Sequence, residues 1–306
     1  MKKLFFLLIA SLTAFCISAQ TNIADTNYAT RVVSVAWMPN GKALLVAVIK
    51  YHKTSQQAPF FSKVFRYDLN SKQLISLFEN GSNLAPSPDG KTIAFLKRND
   101  NKRADIYFYN TETKQETLFK TDTSRKNSLS WSPDGKKLMY NISYRGINPN
   151  ANIEICILDI ATKQVMQITE SGKYKSYDPV WCPDSKKIVY YLEKGDSHDQ
   201  VWLTDLNGSF HTNLTNDTTT HNYFPSWLDE QTIFYTQNPE TLMMMNADGS
   251  NRKKVEGINP EQVKYNVAAG QIAFIKSETE NKVVLFDWKK KTSTIILDGA
   301  KLIEIF

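Results

Sequence analysis

Trp131-Ser132-Pro133-Asp134-Gly135-Lys136, followed almost at once by the apolar run Leu138-Met139-Tyr140-Asn141-Ile142, is the stretch whose reading decides the fold. Pro presets φ for the first corner of a type I turn, Asp accepts hydrogen bonds from nearby backbone, and Gly takes the left-handed position that lets the chain reverse. A short apolar stretch before such a turn and a β-branched or aromatic run after it predict an antiparallel pair of strands.

The phrase recurs. Pro86-Ser87-Pro88-Asp89-Gly90-Lys91, Trp181-Cys182-Pro183-Asp184-Ser185-Lys186 and Trp37-Met38-Pro39-Asn40-Gly41-Lys42 are close copies. Trp227-Leu228-Asp229-Glu230-Gln231-Thr232 is an eroded one, and Asn266-Val267-Ala268-Ala269-Gly270-Gln271 keeps only the place of the turn. The marker positions 37, 86, 131, 181, 227 and 266 are 49, 45, 50, 46 and 39 residues apart. After each turn come an apolar strand such as Ile188-Val189-Tyr190-Tyr191-Leu192 and then a third strand such as Asn152-Ile153-Glu154-Ile155-Cys156-Ile157-Leu158. A more polar fourth strand follows, such as Gln164-Val165-Met166-Gln167-Ile168-Thr169, as an edge half in water requires. One four-stranded sheet cannot bury both faces alone, so repeats of this length are expected to stack in a ring. No segment has a sustained helical period, so helix content should be minimal.

This repeat resembles that of the TolB-like six-bladed β-propellers, a WD-like repeat common in bacterial envelope proteins. The resemblance covers residues 31 to 298 and implies an all-β six-bladed propeller of four-stranded antiparallel blades. As a guide to function it is weak, because the repeated residues build turns and the architecture hosts many activities. TolB itself carries an additional α/β domain ahead of its propeller, and only about ten residues here separate the expected cleavage site from the first blade, which argues against the Tol-Pal role.

Lys2 and Lys3 precede an apolar run from Leu4 to Phe15, and Ile17-Ser18-Ala19 before Gln20 suits signal peptidase. Residues 1–19 are therefore expected to be a secretory leader rather than a transmembrane span, and residues 20–306 a single exported domain, periplasmic or secreted. Phe15 stands where a lipoprotein acceptor at Cys16 needs a small residue, so lipidation is not expected. Removal of Lys2 and Lys3 takes the formal charge from +6 to +4. That balance does not suit a nucleic-acid binder. Cys156 and Cys182 fall on strands that are not neighbours in the ring and are expected as two buried thiols.

Function should come from the longer loops on the face opposite the Pro-Asp-Gly turns. That face is basic and aromatic, with Tyr51, His52, Phe60, Arg98, Arg103, Arg125, Tyr144, Arg145, Tyr174, Tyr177, His198, His221 and Tyr223 as the candidate partner-binding residues. Aromatic and Arg side chains are the usual anchors of interfaces, and the charge suits an acidic peptide, protein or polysaccharide.

Catalysis has little support in the residues. The chain has no Gly-x-Ser-x-Gly elbow and no His-Glu-x-x-His, and its histidines 52, 198, 211 and 221 are not paired on one element. The recurring Asp89, Asp134 and Asp184 read as turn formers. The expectation is a monomeric, non-catalytic module without cofactor or metal that binds a protein or peptide of the cell envelope. The alternative is a lyase or hydrolase acting on an acidic polysaccharide in the central funnel, for which Arg145, His198 and His221 are the nominees.

Overall fold

The computed structural model describes residues 27–55, 61–98, 104–120, 124–143, 152–170, 172, 174–195, 197–238, 241–256, 267–268, 270–276, 281–287 and 289–306. Residues 1–19, expected as a leader, lie outside them.

Among the described residues the strands fall in quartets along the chain. The first comprises β1 (Tyr28–Trp37), β2 (Ala43–His52), β3 (Phe61–Asp68) and β4 (Leu74–Glu79). The second comprises β5 (Gly81–Pro86), β6 (Thr92–Arg98), β7 (Ala104–Asn110) and β8 (Glu116–Lys120). The third is β9 (Arg125–Trp131), β10 (Lys137–Ser143), β11 (Ile153–Asp159) and β12 (Val165–Gln167); the fourth is β13 (Lys175–Trp181), β14 (Lys187–Glu193), β15 (Gln200–Asp205) and β16 (His211–Asn213). The fifth is β17 (Asn222–Trp227), β18 (Thr232–Gln237), β19 (Thr241–Asn246) and β20 (Lys253–Lys254), and the sixth β21 (Val267–Ala268), β22 (Gln271–Lys276), β23 (Lys282–Asp287) and β24 (Thr292–Asp298).

Six separate sheets were expected. Four quartets are separate four-stranded sheets, but the third and fourth form one eight-stranded sheet. A single parallel pair, Ile153 with Lys175, joins its antiparallel halves. The union is local, made where the third strand of one quartet meets the start of the next.

The turns behave as their chemistry requires. Gly135 N donates to Ser132 O at 2.8 Å, and Ser132 Oγ and Lys136 N both donate to Asp134 Oδ1, at 2.6 and 3.0 Å. Gly135 sits at φ +71°, where a side chain would be strained. At the ends of third strands the acid also folds a turn, Asp159 Oδ1 accepting from Ala161 N and Thr162 N at 3.1 and 2.9 Å. These carboxylates are committed to backbone.

Each apolar cluster spans two neighbouring quartets. Leu45 and Val64 meet Ile93 and Phe95, Ala94 and Leu96 meet Leu138 and Tyr140, and Met139 and Ile155 meet Ile188 and Tyr190. Val189 and Val201 meet Ile233 and Tyr235, and Phe234 and Leu242 meet Ile272 and Phe286. The last cluster returns to the start, Val46, Val48 and Phe65 packing on Ala273, Val283 and Leu285. The sheets thus form a closed ring, and burial between them, about 25 cal/mol per Å² of apolar surface, is what holds it. Cys156 and Cys182 lie in different clusters, both buried and not in a disulfide, and burial raises the Cys182 thiol to about 11.

Three of the tryptophans that mark the repeat clip the third, fourth and fifth quartets to the one before. Trp131 Nε1 donates to Ala85 O, Trp181 Nε1 to Ser130 O and Trp227 Nε1 to Val180 O, at 3.0, 3.1 and 3.3 Å. At the closing seam this device stops, for the buried Trp37 Nε1 has no hydrogen-bond partner. Asn281 takes over, its Oδ1 accepting from Val32 N and its Nδ2 donating to Thr30 O, both at 2.8 Å. Gly299 N donates to Asn281 O at 2.7 Å, and Thr30 Oγ1 to Gly299 O at 2.7 Å.

The apolar tail Lys301-Leu302-Ile303-Glu304-Ile305-Phe306 has the composition of a strand, yet the chain forms a 3-10 helix there, Gly299–Ile305. Asn281 already occupies the edge groups of β1 that a further strand would need. The tail still packs on the ring near β1, with Leu302 buried and Phe306 against the same cluster.

Candidate functional site

The inner strand of each of the first five quartets slips register on its neighbour, between Val32 and Ser34, Ser82 and Ala85, Asn127 and Ser130, Tyr177 and Val180, and Tyr223 and Ser226. Such bulges bend a strand and re-aim a side chain. Three residues before each marker they place Ser34, Asn83, Ser128, Asp178 and Phe224 on the wall of a central cavity of about 190 Å³. Four of them hold left-handed backbone, at φ 50° for Asn83, 56° for Ser128, 42° for Asp178 and 51° for Phe224. Each costs on the order of 1–3 kcal/mol, a cost retained mostly where function or a surrounding frame demands it. Ser128 N donates to Asn83 Oδ1 and Ser128 Oγ to Asp178 Oδ1, both at 2.9 Å, so three quartets are linked through Ser128 at the axis. Asp178 supplies the one ionisable side chain of the described lining.

At the mouth Phe224 joins an aromatic cluster. Tyr191 stacks on Tyr177 with ring centres 5.2 Å apart and meets Phe224 and Tyr223 edge-on at 5.7 and 6.3 Å; Tyr223 and Phe224 are 5.0 Å apart. Burial pushes the Tyr191 phenol well above its ordinary range, so it stays neutral.

Beside this cluster His198 and His221 lie edge to face at 4.7 Å, and His221 Nδ1 is 3.1 Å from Asp199 Oδ2. Asp199 is held above the usual carboxylate range by burial, opposed by His221. Gln200 fixes the surrounding loop, its Nε2 donating to Thr220 O at 3.1 Å and its Oε1 accepting from Thr215 Oγ1 and Asp217 N at 2.7 Å each. Asp217 accepts from the Thr220 and Thr219 hydroxyls, and these bonds bring its carboxyl down to about 2. Asp199 N also donates to His221 Nδ1, at 3.2 Å. Among the described residues no cluster of three or more His, Cys, Asp or Glu is arranged to hold a metal ion.

Of the thirteen candidates, the structure brings Tyr177, His198, His221 and Tyr223 together. Tyr174 lies apart, its ring 5.6 Å from Lys194 Nζ. Tyr51 lies under Arg31 at 5.9 Å and His52 against Tyr28 at 5.1 Å, both on the first quartet. Arg98 ends β6 and Arg125 begins β9, both exposed. Phe60, Arg103, Tyr144 and Arg145 lie outside the described residues. Sequence reasoning missed Asn83, Ser128, Asp178, Phe224, Tyr191 and Asp199. A signal for the first four existed: aligned on the marker, the repeats carry Ser, Asn, Ser, Asp and Phe at one position inside a strand.

A ring of sheets packed radially around a lined axis is a β-propeller. The TolB beta propeller domain family matches residues 19–265, and the chain belongs to it. No curated protein matches the chain. TolB from Acinetobacter baumannii is 22% identical with a TM-score of 0.58, over 76% of this chain and 55% of that one. Oligogalacturonate lyase from Vibrio parahaemolyticus is 14% identical with a TM-score of 0.62, over 90% and 82%. The β-propeller domain of the Trilobed protease from Pyrococcus furiosus is 14% identical with a TM-score of 0.58, over 89% and 96%. At such identities the likeness is one of fold. The chain spans about half the length of the Acinetobacter protein.

Proposed function

We propose that the protein is exported to the bacterial cell envelope, with residues 1–19 as a cleaved leader, and that it serves there as a non-catalytic module docking a protein or peptide at the mouth of its channel. Its scaffold counts as six-bladed, the eight-stranded sheet supplying two wedges; the six clusters between successive quartets support that count. The observation that carries the docking reading is the aromatic cluster of Tyr177, Tyr191, Tyr223 and Phe224 on a rigid rim leading into a lined cavity. Amphipathic rings of this kind give much contact area for little lost side-chain freedom. Exposed Arg98 and Arg125 favour acidic stretches of a partner.

Capture from envelope extract followed by titration of the purified partner tests this. Tyr223→Ala is expected to weaken binding about tenfold or more, the loss of an anchor residue. Unchanged affinity moves the site elsewhere.

A second reading is favoured by one observation, the pairing of His198 and His221 with Asp199. It is the lyase or hydrolase acting on an acidic polysaccharide, with His221 as proton acceptor. Turnover of oligogalacturonate that disappears in His221→Ala would establish it in place of the docking module.

A further inference from the structure

The turn between third and fourth strands follows one plan in the first three quartets and in the sixth. Asp68, Asn110, Asp159 and Asp287 each accept from the backbone N–H groups two and three residues on. The residue four positions on takes left-handed backbone, at φ 61° for Lys72, 60° for Lys114, 59° for Lys163 and 56° for Lys291. One lysine therefore belongs to the plan. Lys289 and Lys290 do not, for their places are held elsewhere by Asn70-Ser71, Glu112-Thr113 and Ala161-Thr162. Ser71 and Thr162 donate hydroxyls to the turn carboxylate at 3.2 and 3.1 Å, where the sixth turn instead has Lys290 Nζ at 3.3 Å from Asp287 Oδ2. The fifth quartet adds Lys253 and Lys254 on its own outer strand. Partial desolvation and the charge of Lys253 hold Lys291 below the ordinary lysine range, so the two groups of lysines lie within each other's field. From Asp248 to Glu256 and from Asp287 to Lys291 the chain carries six cations and three carboxylates. All six cations are exposed. Lys254 with Glu256 at 3.8 Å and Lys290 with Asp287 at 3.3 Å are exposed pairs, which neutralise little.

We propose that this corner of the fifth and sixth quartets is a docking surface for an anionic phospholipid bilayer. Ammonium groups are compact, hydrated point charges without the fork that reads a single carboxylate in two bonds, and they suit the spread charge of headgroups. The one guanidinium present, Arg252, is spent on Gly249 O and Leu214 O. Among the described residues of the two segments no aromatic ring offers the anchor that a peptide partner would use. Ile295 on β24, 55% exposed, adds an apolar contact at the same outer edge. The corner lies at the tight-turn end of the strands, and His198 and Tyr223 lie at the other end, so a chain seated on a bilayer here keeps its mouth open. The inference is independent of what the mouth binds.

The full mature chain is sedimented with vesicles of phosphatidylcholine, with vesicles of phosphatidylcholine and phosphatidylglycerol, and titrated with poly-glutamate. Binding is expected to the phosphatidylglycerol vesicles alone, and to weaken as salt is raised to about 0.15 M. Lys253→Ala and Lys289→Ala should each weaken it about fivefold, the weight of one lysine near an anionic surface, at an unchanged unfolding midpoint because both side chains are exposed. Lys136→Ala, an exposed turn lysine of the third quartet, should leave it unchanged. Equal binding to neutral vesicles, no binding to either kind, an equal loss from Lys136→Ala, or binding to poly-glutamate in place of vesicles overturns the proposal. The vesicle comparison on the wild-type chain decides even where a variant folds poorly. Failure here, with capture still dependent on Tyr223, removes the bilayer surface and leaves docking at the mouth intact.

Discussion

The seam between the third and fourth quartets and the seam that closes the ring solve one problem with different parts. In the first, the repeat marker does the joining, Trp181 donating its indole N–H to Ser130 O of the preceding inner strand. In the second, the equivalent Trp37 is buried without that bond, and a residue outside the repeat pattern, Asn281, ties β1 to the last quartet through two bonds of its side-chain amide. At the closing seam the side-chain amide of Asn281 supplies the bonds that the Trp37 indole does not make.

The largest effect expected from breaking this contrast is that of Asn281→Ala. It strips Val32 N and Thr30 O of their partners inside the seam, and unserved buried groups cost about 1–3 kcal/mol each. A fall of about 2–6 kcal/mol in unfolding free energy by urea titration is expected. An unmoved midpoint would mean that apolar packing alone closes the ring. Truncation after Gly299 comes next. It removes Leu302 and Phe306 from the seam cluster but keeps the Gly299 bonds, and should cost about 2 kcal/mol, the burial of one Leu-sized side chain.

Trp181→Phe and Trp37→Phe sharpen the comparison directly. Both keep most of the ring packing, but only the first loses a hydrogen bond, so about 1 kcal/mol is expected for Trp181→Phe and about none for Trp37→Phe. Equal losses would show that the indole bond is not what distinguishes the seams.

The smallest effect is one of pH. Asp217 is lowered from 3.8 to about 2 because the folded loop bonds its ionised form, so its contribution is complete above 3.8 and is lost as pH falls through about 2. Hydrogen-exchange protection at Thr219 and Thr220, whose amides Asp217 accepts, should therefore fall across that interval. Protection at Val32, held by an amide that does not titrate, should not. A parallel fall at both places would tie the loop to global unfolding.

The residues of the repeat were enough to read the turns, the order of strands and the ring. Turn chemistry is local, and alternating burial is written into each short run, as Ser132-Pro133-Asp134-Gly135 and the strands around it show. The mouth was half legible. Tyr177, His198, His221 and Tyr223 could be assigned to one face by strand order, but Tyr191 reads as ordinary strand core until its neighbours are seen. The conformation of the tail was not legible, because Leu302-Ile303-Glu304-Ile305 has strand composition while the edge it would pair with is taken.

By itself the sequence determined that this chain is a set of small antiparallel sheets that must pack against one another, because each copy carries its own turn and its own two apolar faces. Only the tertiary structure decided which side chains meet on the axis and what shuts the ring. The bulges that turn Asn83, Ser128, Asp178 and Phe224 inward, and the reach of Asn281 to a strand about 250 residues earlier, depend on contacts between distant segments. Such contacts come into existence only when all the sheets are packed together.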